Sequence, residues 1–384
     1  MLRAVVLCEL LVCTCACATS PPAIPPLADP ARYASTAFSR EFEFSSLGSS
    51  DPSKTRGGAN TQAAAMVGRD DLTVAENGET LGRRDCPALP GDPVAEIVRR
   101  ARITNIVIIN ETHDRPHERY FIGEVLKALK PLGYTTYAAE TFHNGPDLNH
   151  PLVLTDDGFY SQEPIFGRIV AEAKALGYRF VGYEVIDAQE NMDDLNRLPL
   201  VERINRRDAL QTENLMAAIF RNHPDEKVII HVGEGHATER ARPGQPKWMA
   251  QRLAEATGRD PLTIGQTVCL SPSGKPALVQ GPDDGEDLYI GHPLLDLKNG
   301  RPAWRQQSGD VVTPLPAALL PKGEPLLIEA RLVDAPMDTV AIDRLLLRPG
   351  EALPLLLPPG RYRLDVSNAK GELTMPSVIV NAHK

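Results

Sequence analysis

The sequence predicts an α/β fold, a mainly parallel sheet flanked by helices, followed by a small C-terminal β-sandwich-like module. Three observations carry this. Four short apolar runs (Ile103 to Ile109, Thr135 to Ala139, Tyr178 to Tyr183 and Lys227 to Ile230) are rich in β-branched or aromatic residues, and each is followed by a helical pattern. Each run ends at its C-terminal side in a Glu or His: Glu111 and His113, Glu140, Glu184, and His231 through His236. Beyond residue 321 the helical period disappears, and short apolar stretches alternate with Pro-Gly and Asn-Ala-Lys-Gly turns. Ligands of open parallel sheets bind outside the carboxyl ends of the strands. The Glu and His turns are therefore expected to meet at one sheet edge.

The elements follow in chain order. Met1-Leu2-Arg3, an apolar stretch through Cys13 and Ala16-Cys17-Ala18 read as a signal peptide over 1–18. This implies export, to a periplasm or as a secreted protein. Lipidation at Cys15 or Cys17 is the alternative, and only then would the chain be tethered to a membrane. Residues 19–90 are rich in Pro, Ser, Gly and Ala without a period and read as a flexible leader. The α/β domain is expected over 91–270, opening with a helix from Pro93 to Ala101. Asp114 and Pro116 start the next helix, whose stripe is Phe121, Val125, Ala128, Leu129 and Leu132. Ile165, Phe166, Ile169, Val170, Ala173 and Leu176 form the third connection, closed by Gly177. Val201 to Phe220 is a longer helix, and Trp248, Met249 and Leu253 mark the last one before a strand from Leu262 to Val268. Residues 271–321 read as an irregular Pro/Gly-rich linker. The β module over 322–384 is expected to use Leu326 to Val333, Thr339 to Ile342, Leu355 to Leu357, Arg361 to Val366 and Val378 to Val380 as strands.

A net charge of −9 and the lack of any basic run exclude a general nucleic-acid binder. No later apolar run approaches the ~20 residues of a transmembrane helix. A small-molecule or peptide substrate is the expected partner. Of the 6 cysteines, Cys8, Cys13, Cys15 and Cys17 lie in or at the end of the signal. Cys86 and Cys269 remain, and in an oxidising compartment they are expected to form a disulfide.

Glu111 and His113 flank Thr112 in a strand-to-helix turn, and His236 occupies an equivalent turn in which Gly233 and Gly235 permit a tight backbone. Two imidazoles and a carboxylate are the ligands of a catalytic divalent-metal site holding Zn, Mn or Co, which here would be His113, Glu140 and His236. Without metal, a His polarised by a carboxylate activates water as a general base. Composition and spacing leave both open. Each residue also has a plainer role: Glu111 as a cap on the next helix, Glu140 and Glu184 as partners of Arg179 or Arg207, His231 as a core residue, His117 on a helix face, and His143 and His150 in loops.

At these positions the sequence resembles a known superfamily. Asn110-Glu111-Thr112-His113-Asp114-Arg115-Pro116-His117, Glu140 at its strand end, Arg207-Asp208 with Asn214-Leu215, and Val232-Gly233-Glu234-Gly235-His236-Ala237 are together similar to the group joining ChaN-type haem-binding uptake proteins, Tiki and TraB proteins, and erythromycin-esterase-like hydrolases. The resemblance covers about Pro93 to Thr267. It implies a site lined by a G-E-x-H turn, a strand-end Glu and a G-x-x-H turn, which fall on Glu111 and His113, on Glu140, and on Gly233 with His236. Asn110 stands where the first Gly is expected, so this turn should be reshaped. The resemblance implies an exported, metal-dependent hydrolase of ester or peptide bonds. His113, Glu140 and His236 would hold the metal, Glu111 would orient or deprotonate water, and Glu184 and Arg207 would support them. The alternatives are a non-enzymatic haem- or ligand-binding protein on the same fold, and an interaction protein that binds through its β module.

Overall fold

The computed structural model describes residues 58–72, 83–145, 147–240, 243–282, 285–368 and 370–383. The signal peptide and most of the leader lie outside them. Strand β1 is Arg84–Asp85, and β2, Ile106–Glu111, is buried along its whole length. Such a strand has no polar face, as expected for the interior of a parallel sheet. Side chains alternate along it: Val107 and Ile109 enter one core layer, Ile106 and Ile108 the other.

The remaining strands of the first half are β3 (Thr136–Ala139), β4 (Arg179–Gly182), β5 (Val228–Gly233), β6 (Leu262–Gly265), β7 (Cys269–Leu270), β8 (Ala277–Val279) and β9 (Leu288–Gly291). They form a seven-stranded sheet in the order β4-β3-β5-β2-β6-β9-β8, while β1 pairs separately with β7. Every pair in the large sheet is parallel except β8 with β9. Helices α2 (Pro93–Arg100), α3 (Pro116–Leu129) and α4 (Pro164–Ala175) cover one face. The end of α6 (Leu200–Leu215), its π-turn continuation Met216–Phe220 and α7 (Met249–Thr257) cover the other. A short α5, Met192–Arg197, precedes α6. The α/β expectation with a mainly parallel sheet therefore holds. No described helix is long and apolar enough to cross a membrane.

Several boundaries differ, and the strand expected from Leu262 to Val268 ends at Gly265. The first strand starts at Ile106, and Ile103 is 93% exposed because Tyr134 ties down the preceding turn through the carbonyls of Ala101 and Thr104. Residues 271–321 are not merely a linker: β8 and β9 extend the large sheet past residue 270, since β9 takes up the free edge of β6. A further correction concerns the leader. Its residues 58–72 include helix α1 (Gly58–Met66), and residues 63–70 are buried. Small side chains let this strap lie close against β strands of the C-terminal module, with Ala63, Ala64 and Val67 packed on Leu327 and Leu346.

That module contains β10 (Leu297–Lys298), β11 (Arg301–Pro302), β12 (Val311–Thr313), β13 (Leu326–Leu332), β14 (Asp343–Leu347), β15 (Leu355–Leu357), β16 (Gly360–Ser367) and β17 (Val378–Ala382). An antiparallel sheet of order β14-β13-β16-β17 and the pair β12-β15 share one apolar core, which gives the expected sandwich-like packing. Thr339 to Ile342 is not a strand as expected. It docks on the α/β domain instead, where Val340 N–H donates to the Val153 carbonyl at 2.9 Å.

Gly68 shows how tightly the strap is held. Its φ is +71°, and a Cβ there would lie 2.2 Å from the Arg344 carbonyl oxygen. Gly68→Ala should cost about 3 kcal/mol, from left-handed strain plus overpacking. A urea titration with an unchanged midpoint would show that the strap is not docked.

Candidate functional site

The carboxyl ends of β2, β3 and β5 meet on the face covered by α3 and α4. Glu111 is the last residue of β2 and points to the same layer as Ile109, so its carboxylate is buried. Arg119, one turn into α3, grips it with two hydrogen bonds, Nε to Oε2 at 2.5 Å and Nη2 to Oε1 at 3.2 Å. The same Nη2 donates to the His113 carbonyl at 2.9 Å, which fixes the turn between them. His113 Nδ1 lies 3.2 Å from Glu111 Oε1, and its ring stacks on Tyr160 with centroids 4.0 Å apart. Burial, the largest single influence, raises the Glu111 pKa, but Arg119, His113 and His231 together outweigh it, and the carboxyl is held at about 2.

That shift has a testable consequence. The folded-state pKa lies below the unfolded value near 4.5, so the ionised carboxylate stabilises the fold above about pH 4.5 and the contribution is lost as pH falls toward 2. Denaturant midpoints should decline steeply across this window. A profile flat from pH 5 to below 3 would mean that Glu111 is not paired as described.

Glu140 follows β3 and supplies the other half of the site. Its Oε2 accepts the Gly233 N–H at 2.6 Å, and its Oε1 pairs with Arg207 Nη2. A Cβ on Gly233 would sit 3.1 Å from Glu140 Oε2 and 3.2 Å from His113 Nε2, so only glycine leaves these two side chains their present approach. Arg207 also binds Glu184 through Nε at 3.1 Å and through Nη2. Of the arginines considered for Glu184, it is Arg207 that pairs, while Arg179 pairs with Glu226. Burial opposes ionisation of Glu140, but Arg207, His236 and His113 lower its pKa overall.

His236, on the one-turn helix Glu234–Ala237 after β5, has Nδ1 3.0 Å from Asp208 Oδ1 and Nε2 3.9 Å from Glu140 Oε1. The Asp208 approach is an ion pair rather than an aligned hydrogen bond. Burial lowers the His236 pKa, and Glu140 and Asp208 more than offset it, so the protonated ring is favoured. Arg207, Asp208, Gln211 and Asn214 share one face of α6 at helical spacing, which carries all four toward the strand ends.

All five expected residues thus meet at one edge: Glu111 with His113, and Glu140, Glu184 and His236 around Arg207. His231 joins them unexpectedly. It is buried, as a core residue would be, yet it borders the site, with Nδ1 2.9 Å from the Tyr137 hydroxyl and Nε2 3.8 Å from Glu111 Oε1. Burial holds its pKa down to about 4, so the ring is neutral. A cavity of about 10 Å³ bounded by Glu111, His113, Glu140, Tyr160, Phe166 and His231 has room for about one water. Asn110, where a glycine was expected, is a regular residue of β2 in register with Val232. Its side chain donates to the Glu234 carbonyl at 2.6 Å and accepts the Gln266 N–H at 2.7 Å, tying β2 to β6 and to the turn that bears His236.

The expected metal ligands do not form a metal site. Arg207 is paired with Glu140 and its Nη1 lies 3.4 Å from His236 Nε2, so a cation already stands between two of the three. Among the described residues no group of three His, Cys, Asp or Glu could hold an ion. The water-sized cavity does not admit a porphyrin. A larger cleft of about 520 Å³ lies beyond the Glu234–Gly235 turn, bordered by Trp248, Tyr289, Glu286 and Arg240, and among the described residues no His, Cys or Met lines it.

No known protein family matches the chain, and no curated protein does. Solved structures do. The type III effector HopBA1 is 17% identical with a TM-score of 0.34, over 54% of this chain and 97% of its own. RRSP, a MARTX toxin effector domain from Vibrio vulnificus, is 20% identical with a TM-score of 0.31, over 52% and 38%. ChaN of Campylobacter jejuni, described with cofacially bound haem, is 10% identical with a TM-score of 0.31, over 51% and 90%. These likenesses are too distant to assign a function.

Proposed function

We propose that the chain is an exported hydrolase of ester or peptide bonds that works without a metal ion. The observation that carries this is the Glu111–His113 pair beside a cavity sized for one water. With Nδ1 on Glu111, Nε2 is the nitrogen that takes a proton from water. The ionised Glu111 then stabilises the imidazolium, and Arg119 keeps Glu111 ionised. Water oxygen attacks the acyl carbon, and the C–O or C–N bond to the leaving group breaks. His236, favoured in its protonated form, gives its proton to the leaving atom. Arg207 presents its charge to the oxyanion that develops between these events. The disulfide between Cys86 and Cys269 fits an exported protein.

The test uses the untagged protein on a panel of 4-nitrophenyl esters of graded acyl length and a fluorogenic peptide library, with and without EDTA. Turnover that survives the chelator is expected. Activity that EDTA removes and zinc or manganese restores would overturn the metal-free mechanism. The cleft of about 520 Å³ favours a second reading, ligand binding without chemistry. A Soret band in the purified protein, with no turnover anywhere in the panel, would favour it over the hydrolase.

A further inference from the structure

The pair at the site is the end of a buried series of alternating charges that begins in the strap. Asp70 Oδ1 accepts Arg305 Nε at 2.8 Å, and Arg305 Nη1 donates to Glu163 Oε1 at 3.1 Å. Glu163 Oε2 lies 3.6 Å from Arg119 Nη1, and Arg119 holds Glu111, which faces His113. All five charged residues before His113 are buried. Arg305 lies between β11 and β12 of the β module, and its Nη2 also donates to the Ala65 carbonyl of α1 at 3.1 Å. The strap touches the site by a second route, since the Tyr160 hydroxyl stacked behind His113 reaches Gln62 Oε1 at 3.5 Å.

We propose that Arg305 is a positioning residue for the Glu111–His113 pair, acting through Glu163 and Arg119; this rests on the hydrolase reading of the site. Burying ions is costly, and apolar residues fill the same volume as well. What apolar residues do not supply is a fixed direction for each oxygen of Glu111. Arg119 lies between two carboxylates. Its Nη1 makes no aligned hydrogen bond and is 3.6 Å from Glu163, while its Nε and Nη2 serve Glu111. Arg305 satisfies Glu163 and so leaves Arg119 committed to Glu111. Without it, Glu163 competes for Arg119, the Glu111 carboxylate turns, and His113 loses the partner that orients its ring.

The experiment compares Arg305→Met, Arg305→Lys and the double variant Arg305→Met with Glu163→Gln in the full chain. One readout needs no substrate: the proton NMR signal of the His113 Nδ1–H on Glu111, identified by its loss in His113→Ala. The other is the split between kcat and KM on whichever panel substrate turns over. Arg305→Met should lose or displace the signal and lower kcat by about tenfold to a hundredfold with KM unchanged. Arg305→Lys keeps the charge without the fork and should fall between. The double variant removes the competing charge and should bring the signal and kcat back. A folded Arg305→Met with wild-type signal and kcat overturns the proposal. If that variant does not fold, an unchanged signal in Arg305→Lys does so, as does a wild type lacking the signal. Full turnover in His113→Ala would instead overturn the hydrolase reading, while the dependence of the ring signal on Arg305 could still hold.

Discussion

His113→Ala should abolish turnover while melting close to the wild type. A positioned general base is worth about 10² to 10⁴ in rate. The side chain is 24% exposed, and the packing lost is one ring stack on Tyr160 at 4.0 Å, worth about 1 kcal/mol. His236→Ala should also lose turnover, with a different stability result. Its ring is buried against Asp208, and removing it leaves that carboxylate buried without its partner, at a cost of about 1 to 3 kcal/mol or more. Equal melting temperatures for the two variants would contradict the description of His236. Turnover retained in a destabilised His113→Ala would leave that residue a structural role only.

Removing the Cys86–Cys269 bridge should produce the largest loss of stability of any change considered. The bridge closes a loop with a sequence separation of 183, worth about 5 kcal/mol in the chain-entropy picture. It also clamps β1 to β7, a two-residue pairing with little area of its own. The measurement is a denaturant titration of the oxidised protein against a Cys86→Ala, Cys269→Ala double variant. Coincident curves, or a non-reducing mass showing two free thiols, would remove the bridge from the account.

The site was largely legible because its strand-end residues obey a local rule. Glu111, Glu140 and Glu184 each end or follow a short apolar run, and a parallel sheet brings such ends together whatever the helices do. Arg119 and Asp208 were not legible as site residues. A charged residue inside an amphipathic helix reads as a solvated face until the docking of that helix is known, and both turn out to be fully buried. Arg207 and Asp208 stand in a stretch with family resemblance, which was the one signal available for Asp208. The strands β8 and β9 were hidden by their Gly- and Pro-rich surroundings, where three or four apolar residues do not make a period. The strap was hidden by its own composition. Consecutive alanines are compatible with a loose leader, and only the presence of two surfaces close enough to bury them makes them a core.

The strap also sets an order of events during synthesis. Arg69 Nη1 meets Glu351 across a separation of 282 residues, and at about 5 to 20 residues per second that partner emerges roughly 15 to 60 s later. The first helix described in the chain therefore waits, unburied, for nearly the last strands to be made. Ala63, Ala64 and Val67 have their native partners, Leu327 and Leu346, only at the end of that interval. The strap, made before the strands it packs on, closes the structure rather than nucleating it.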